Sequence, residues 1–173
     1  MSQIKKAAAA ATCSVTLIIN IVLSHHTLRT SREGLALIGN AEGCRRTPYA
    51  CPAGHITDGI GNTHHVHPGT RKTDEQIARD WEQNIADAER CVNAQAAGKT
   101  LTDDTFSAVT SLTFNVGCHA LSHSTLFALL RNGNIAQACN QFPRWSYAAG
   151  HKMPGIYHRR LQERALCLKG LRT

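Results

Sequence analysis

The segment EGCRRTPYACPAGHITDGIGNT, residues 42–63, decides the architecture of this chain. It contains the turn-forming residues Pro48, Pro52, Gly54, Gly59 and Gly61. Proline and glycine supply backbone angles that a helix interior rejects, so the segment is predicted to form short strands joined by tight turns. An acid at Glu42, a thiol at Cys51 and a hydroxyl at Thr57 follow at intervals of eight and then five residues. A ribbon of this kind can bring the three side chains to one side of a cleft.

Helical patterns lie on both sides of this ribbon. Residues 34–41 are predicted to form a short helix that ends at Glu42. After the ribbon, Thr73 can cap a helix, because Gln76 stands three residues later in the arrangement of a capping box. This helix is predicted to continue to about Ala97, a length that suggests a bridge between two lobes.

The second half of the chain is predicted to be helical. A helix start at Thr102 opens the stretch 106–116, where apolar residues recur at core-facing spacing. Further helices are predicted at 124–131, 135–142 and 159–168. The sequence therefore predicts an α+β fold that is mainly helical, with one small sheet.

The amino-acid composition limits the kinds of molecule that this chain is expected to bind. The chain has 173 residues and a formal net charge of +7, which favours an anionic partner. Aromatic residues make up only 5%, and no zinc-finger or RNA-binding signature is present, so no nucleic-acid partner is expected. A bacterial wall, rich in carboxylate and phosphate, fits the charge. No cofactor is expected, and His64, His65 and His67 are interpreted as a solvated loop rather than a metal site.

Seven cysteines in a chain of this size favour an oxidising compartment. The sequence has no C-x-x-C pair, which argues against zinc ribbons and thioredoxin-type redox motifs. An odd number of cysteines leaves at least one thiol outside any internal disulfide.

The N-terminus is predicted to be a weak membrane anchor. Residues 7–24 form an uncharged run after Lys5 and Lys6, just long enough to cross a bilayer as a helix with its N-terminus in the cytoplasm. Its few lipophilic residues are balanced by threonines, serines and Asn20, so the helix can both enter and leave the membrane. The alternative is a signal peptide cleaved near Ser24. Residues 1–24 are therefore taken as the anchor and 25–34 as a linker.

Several motifs in order resemble one enzyme family. The spacing of Glu42, Cys51 and Thr57, followed by GIG at 59–61, resembles the signature of the phage-type lysozymes, glycoside hydrolase family 24. Further similar motifs are FNVG at 114–117, STL at 124–126, RWSYAAG at 144–150 and RRLQE at 159–163. The resemblance extends over about residues 35–170.

This resemblance implies a two-lobed lysozyme-like fold. It implies a ribbon lobe at 35–71, a bridging helix at 72–98 and a helical lobe at 99–173. The implied activity is hydrolysis of the β-1,4 bonds between N-acetylmuramic acid and N-acetylglucosamine in peptidoglycan, for host lysis and phage release. A monomer is expected.

The resemblance also implies site residues. Glu42 would donate a proton to the leaving oxygen, Thr57 would hold a water, and Cys51 would act as base or nucleophile where many relatives have Asp. Asp58 is an alternative second carboxylate whose spacing departs from the family pattern. The residues expected to bind substrate are Phe114, Arg159 and Arg160, and one of the two arginines could pair with Glu42. The alternatives are core packing for Phe114 and a packed surface face for the arginines.

The N-terminal cysteine refines the resemblance. Cys13 within a weak anchor, together with Cys44 and Cys51, resembles the signal-anchor-release endolysins whose activity is controlled by a disulfide. Such an enzyme is held in the host inner membrane with its catalytic domain in the periplasm, and is then released as a soluble enzyme. A Cys44–Cys51 bridge would mask the catalytic thiol, and exchange to Cys13–Cys44 would free it.

The other four cysteines can form two disulfides in three ways. Similarity to related endolysins favours Cys139–Cys167, which leaves Cys91–Cys118, both as structural bridges. Two rival functions also remain open at this stage. One is a cysteine peptidase or amidase that uses Cys51 with His55 or His64, and the other is a cationic wall-binding protein without catalytic activity.

Overall fold

The computed structural model describes residues 13–50, 54, 56–148 and 150–172. These residues form an α+β fold that is mainly helical, which confirms the predicted fold class. The chain divides into two compact units. Unit 1 comprises residues 1–27 and 39–84, and unit 2 comprises residues 28–38 and 85–173.

Unit 1 contains an N-terminal helix and the expected ribbon. Helix α1 spans Val15–His25, where the Ser14 hydroxyl accepts a hydrogen bond from the backbone N–H of Leu17 (3.3 Å) and so caps the first turn. Strands β1 (Arg45–Ala50) and β2 (Ile56–Gly59) pair antiparallel. The ribbon predicted from proline and glycine content is therefore present.

Two helices contribute residues to both units. Helix α2 spans Arg32–Glu42 and helix α3 spans Asp74–Gln95. The capping box predicted for α3 is confirmed, since the Gln76 N–H donates to the Thr73 hydroxyl (3.2 Å) and the Thr73 N–H donates to the Gln76 side chain (2.9 Å).

Helix α2 begins earlier than the sequence predicts. It starts at Arg32, inside the stretch expected to be a linker, because Ser31 caps it. The Ser31 hydroxyl accepts from the N–H of Gly34 (3.3 Å), and its carbonyl accepts from the N–H of Leu35 (2.9 Å).

Helix α1 packs its apolar face within unit 1. Ile18, Ile19 and Val22 are buried. A Cβ atom placed on Gly39 of α2 would lie 2.5 Å from Cγ1 of Val15, so glycine is needed for this close approach. Residues 1–12, the first part of the predicted anchor, lie outside the described residues. Among the helices of the described ranges, none combines the length and the apolar character needed to cross a membrane.

Unit 2 is built from helices and a short hairpin. Its helices are α4 (Asp103–Val116), α5 (Cys118–Ser122), α6 (Thr125–Arg131), α7 (Ile135–Cys139) and α8 (Pro154–Lys169), with 3₁₀ turns at Gly98–Thr100 and Phe142–Trp145. Strands β3 (Tyr147–Ala148) and β4 (His151–Lys152) form a hairpin. The sequence analysis predicts neither α5 nor this second sheet, because both elements are too short to carry a periodic pattern.

A continuous apolar core fills unit 2. Its largest side chains are Phe106, Leu112, Phe127 and Phe142, all fully buried. Disulfides Cys91–Cys118 and Cys139–Cys167 join segments around this core. These are the pairings that the sequence analysis expects.

Candidate active site

Glu42 stands at the junction between helix α2 and the ribbon. Its side chain is half-buried and lies against Gly61 in the turn that follows β2. A Cβ atom placed on Gly61 would lie 3.2 Å from Oε2 of Glu42, which is a tight contact, and Gly61 has a φ of +65°, so glycine is favoured at this position for two reasons. The turn therefore lies close to the carboxyl group.

Thr57 lies in strand β2, within the same unit as Glu42. Its side chain is buried, with 4% exposed, and the residue pairs with Tyr49 of β1. The last pair of the ladder joins Ala50 to Ile56. Cys51 follows Ala50 directly and lies outside the described residues. The structure thus brings Glu42 and Thr57 into one unit, and the role of Cys51 stays a prediction.

Asp58 forms a buried polar network next to Thr57. Its side chain is fully buried, and Oδ1 accepts hydrogen bonds from Nδ2 of Asn62 (2.8 Å) and from Nζ of Lys72 (2.8 Å). Sequence reasoning considered Asp58 only as an alternative second carboxylate. It missed Lys72, because nothing in a sequence marks an ion pair between residues 14 positions apart, and it missed Asn62, because an asparagine in a turn carries no sequence signal of burial.

Lys72 supplies the positive charge of this network. Its ammonium group lies 2.8 Å from Oδ1 of Asp58 and 2.6 Å from Oδ2 of Asp80. Burial lowers the pKa of Lys72, but the hydrogen bonds to Asp58 and Asp80 outweigh that effect, so the net pKa lies above its ordinary value. The lysine therefore stays charged, and it compensates the buried Asp58 carboxylate.

The two arginines of strand β1 have separate contacts. The guanidinium of Arg45 lies over the ring of Tyr49, 4.4 Å from its centroid. Nη2 of Arg46 lies 2.8 Å from Oδ1 of Asp74, at the start of α3. These contacts fix the positions of both guanidinium groups on strand β1.

A disulfide joins the N-terminal helix to the start of the ribbon. Cys13 precedes α1, Cys44 precedes β1, and the two residues are bonded with a Cα–Cα distance of 5.3 Å. The backbone N–H of Cys13 also donates to the carbonyl of Cys44 (3.5 Å). Because a sulfur atom forms only one disulfide, Cys44 cannot be bonded to another cysteine while it is bonded to Cys13.

Two of the three histidines after the ribbon line a pocket of about 300 Å³ in unit 1. His64 and His65 share its lining with Lys72, Asp80 and Asn84, among others. Within the described ranges, no group of three or more His, Cys, Asp or Glu side chains is arranged to hold a metal ion.

Arg159 and Arg160 form a buried cluster on helix α8 with Glu163. Nε of Arg159 lies 3.1 Å from Oε1 of Glu163, and Nη1 of Arg160 lies 3.0 Å from Oε2. The Ser111 hydroxyl donates to Oε1 of Glu163 (2.6 Å), and Arg160 donates to Oδ1 of Asn115 (2.6 Å). Burial raises the pKa of Glu163, and the two arginines and Ser111 oppose that rise. The substrate-binding role of the arginines stays a prediction.

Phe114 lies in the last turn of helix α4, which ends at Val116 and is followed by Gly117 with a φ of +90°. Unlike the fully buried Phe106 and Leu112 of the same helix, Phe114 is only half-buried. A half-buried aromatic ring retains a free part of its surface for contact with another molecule.

Comparisons with known proteins agree with these features. The model of the phage lysozyme family matches residues 39–163. A SAR-endolysin of Escherichia phage P1 is 47% identical, in an alignment that covers 93% of this chain and 93% of that one. The crystal structure of the active form of P1 phage endolysin Lyz superposes with a TM-score of 0.89 at 48% identity, covering 93% of this chain and 97% of that one. The secreted inactive form of the same endolysin superposes with a TM-score of 0.60, covering 82% of this chain and 97% of that one.

Proposed function

The chain belongs to the phage lysozyme family, and on that premise we propose that this endolysin cuts the β-1,4 bonds between N-acetylmuramic acid and N-acetylglucosamine in peptidoglycan. Family membership makes it a hydrolase of the muramidase class. One observation carries the proposal for the specific site. The Glu42 carboxyl lies against the Gly61 turn, in the same unit as Thr57 and within the matched residues.

Hydrolysis of a glycosidic bond requires a proton for the leaving oxygen and a water or nucleophile at the opposite face of the sugar. We assign the proton to Glu42. The Thr57 hydroxyl carries no charge and would orient the attacking water through a hydrogen bond. Cys51 would complete the site, either as the base that activates this water or as a nucleophile that attacks the sugar. Phe114 is proposed to contact the sugar through its exposed ring surface.

The substitution Glu42→Gln tests the assignment of the acid. It removes the transferable proton and keeps the shape of the side chain, so the rate should fall by roughly 10²- to 10⁴-fold. The measurement is the release of reducing sugar ends from purified peptidoglycan. Glu33→Gln is a matched control, because Glu33 is an exposed acid paired with Lys169 in unit 2. Undiminished hydrolysis by Glu42→Gln would overturn the assignment, and new free amines instead of reducing ends would indicate a peptidase.

We propose that a disulfide exchange switches the enzyme on. In the inactive form, Cys44 would be bonded to Cys51 and mask it, whereas the structure has the bond Cys13–Cys44. The higher TM-score with the active form of the phage P1 endolysin than with its secreted inactive form supports the interpretation of this bond as the active arrangement.

The exchange balances without an external oxidant. The thiolate of Cys13 would attack the sulfur of Cys44, the Cys44–Cys51 bond would break, and Cys51 would leave as a thiolate. The number of disulfides and the number of free thiols are the same before and after the step. Before exchange, residues 1–24 would anchor the enzyme in the inner membrane with the catalytic residues in the periplasm. Afterwards it would act as a soluble monomer.

The substitution Cys13→Ser tests the exchange. The exported variant should remain inactive, because Cys44 has no other partner to release Cys51. A mild reductant should restore its lytic activity by freeing Cys51 directly. Mass-spectrometric mapping should find Cys44–Cys51 in membrane-held protein and Cys13–Cys44 in released protein. Full activity of Cys13→Ser without reductant would contradict the exchange.

A further inference from the structure

Asp58 is a buried carboxylate with a defined set of partners. Burying an ionised carboxylate costs free energy unless a charge and hydrogen bonds compensate it. Here Nζ of Lys72 and Nδ2 of Asn62 both donate to Oδ1 of Asp58 at 2.8 Å. Lys72 is itself held, since its backbone N–H donates to the carbonyl of Arg46 in strand β1 (2.9 Å). The carboxylate thus links both sides of the ribbon.

Asn62 uses the full hydrogen-bonding capacity of its side-chain amide. Nδ2 donates to Oδ1 of Asp58 (2.8 Å) and to the carbonyl of His64 (2.9 Å). Oδ1 accepts from Nδ2 of Asn84 (3.1 Å) and from the N–H of His64 (3.3 Å). An amide has two donor hydrogens and two acceptor lone pairs, so all four are satisfied. Only 2% of Asn62 is exposed, and its orientation is fixed by these four bonds.

The backbones of these two residues close the turn of the candidate active site. The N–H of Asp58 donates to the carbonyl of Asn62 (2.9 Å), and the N–H of Asn62 donates to the carbonyl of Asp58 (3.0 Å). Residues 59–61 lie between them, with Gly61 against Glu42 and Thr57 directly before Asp58. The clamp formed by Asp58 and Asn62 therefore sets the position of both Gly61 and Thr57.

We propose that Asp58 and Asn62 are positioning residues for the hydrolysis, with Lys72 as the cation that keeps Asp58 in place. The inference rests on the proposed function, because it assigns Glu42 and Thr57 to the chemistry. A displacement of about 1 Å in a catalytic geometry can cost on the order of 100-fold in rate. Loosening the turn should therefore reduce kcat and leave KM nearly unchanged, since neither side chain is assigned to sugar binding.

The test measures kcat and KM with soluble peptidoglycan fragments, on the full chain in its Cys13–Cys44 form. Asn62→Ala should lower kcat by roughly 10- to 100-fold, with KM changed by less than about threefold. Asp58→Ala should behave in the same way. Asn132→Ala is the matched control, because Asn132 is an exposed asparagine at the end of α6 in unit 2, and it should keep the wild-type kcat.

The conservative variant Asp58→Asn separates positioning from direct catalysis. An asparagine keeps an oxygen that can accept from Asn62 and Lys72, so kcat should recover to within about threefold of wild type. If Asp58→Asn lost as much kcat as Asp58→Ala, the carboxylate itself would be required and the positioning role would be wrong.

A variant that loses activity because less of it is folded can be distinguished from a variant whose turn is displaced. The assay is run well below the melting temperature, with the folded fraction of each variant measured by circular dichroism. A loss of activity that merely follows the folded fraction, or an unchanged kcat for Asn62→Ala, would overturn the proposal. A wild-type enzyme that released no reducing ends would instead overturn the proposed function itself.

Discussion

Both units bury ionisable side chains, but they do so in different surroundings. Unit 1 has the Lys72 cluster of Asp58, Lys72 and Asp80, and unit 2 has the Glu163 cluster of Arg159, Arg160 and Glu163. The Lys72 cluster reaches solvent, since the side chain of Asp80 is 40% exposed. In the Glu163 cluster no side chain is more than 9% exposed.

We expect the Glu163 cluster to serve stability, whereas we assign the Lys72 cluster to the geometry of the candidate active site. The Glu163 cluster joins α8 to α4 through Ser111, beside the apolar core of unit 2. The Lys72 cluster holds the turn next to Glu42. Because full burial raises the cost of an unpaired charge, removing a partner from the Glu163 cluster should affect folding most.

The largest effect on stability is expected for Glu163→Gln. It would leave the cations of Arg159 and Arg160 buried without their carboxylate, which typically costs about 3–5 kcal/mol. Chemical denaturation should show this as a large decrease in the free energy of unfolding. Glu33→Gln, at an exposed ion pair, should change that free energy by less than about 0.5 kcal/mol. Equal stability of the two variants would contradict the contrast.

The second prediction compares the disulfide Cys139–Cys167 with Cys13–Cys44 in their effects on stability and activity. Replacing both Cys139 and Cys167 by alanine should lower the free energy of unfolding by about 2–4 kcal/mol, because the unfolded chain regains the freedom of the loop between them. The activity of this double variant per folded molecule should remain at the wild-type level. Cys13→Ser should show the reverse pattern, with loss of activity as the main effect. If the double alanine variant stayed fully stable but lost activity per folded molecule, the structural assignment of Cys139–Cys167 would be wrong.

A smaller effect is expected at the helix caps. Thr73 caps α3 in unit 1, and Thr102 caps α4 in unit 2. Each threonine-to-alanine change should cost about 1 kcal/mol, because one backbone N–H of the first turn loses its acceptor. Thermal unfolding measures the stability of both variants. Replacement by serine, which keeps the hydroxyl, is the control and should recover most of the loss; no recovery would exclude capping as the cause.

The smallest effect is expected at the end of α1, and it depends on pH. Nδ1 of His25 lies 2.7 Å from Oε2 of Glu82, and Nε2 lies 3.4 Å from Oε1 of Glu75. The hydrogen bond to Glu82 is the main cause of the raised pKa of His25, while desolvation opposes it. A histidine whose pKa is higher in the folded state stabilises the fold fully at pH values below its unfolded pKa of about 6.5. This stabilisation is lost as the pH rises through the folded pKa.

His25→Gln should therefore lower the melting temperature at acidic pH and have a progressively smaller effect as pH rises above about 6.5. Thermal unfolding across this range measures the difference from wild type. His158→Gln, at an exposed histidine of α8, is the matched control and should lower the melting temperature at acidic pH less than His25→Gln does. A His25→Gln effect that grew with pH would contradict the ion pair.

Local signals in the sequence were sufficient for most elements. The capping box at Thr73 and the cap at Thr102 identify helix starts because their hydrogen bonds join residues only three positions apart. The hairpin at 147–152 was missed, because each strand has only two residues and both strands are exposed. Short exposed strands carry no alternation of apolar and polar residues.

The ribbon at 42–63, the order of the long helices and the family can be predicted from the amino-acid sequence, since turn residues, caps and motif spacing act over a few residues. Which charges are paired and buried inside each unit depends on how the folded chain packs. Lys72 reaches Asp58 from 14 positions away, and Ser111 reaches Glu163 from another helix, so packing between segments that are distant in sequence selects these two partners. Arg159 and Arg160 lie four and three positions from Glu163 on the same helix, but only burial decides how costly each unpaired charge would be.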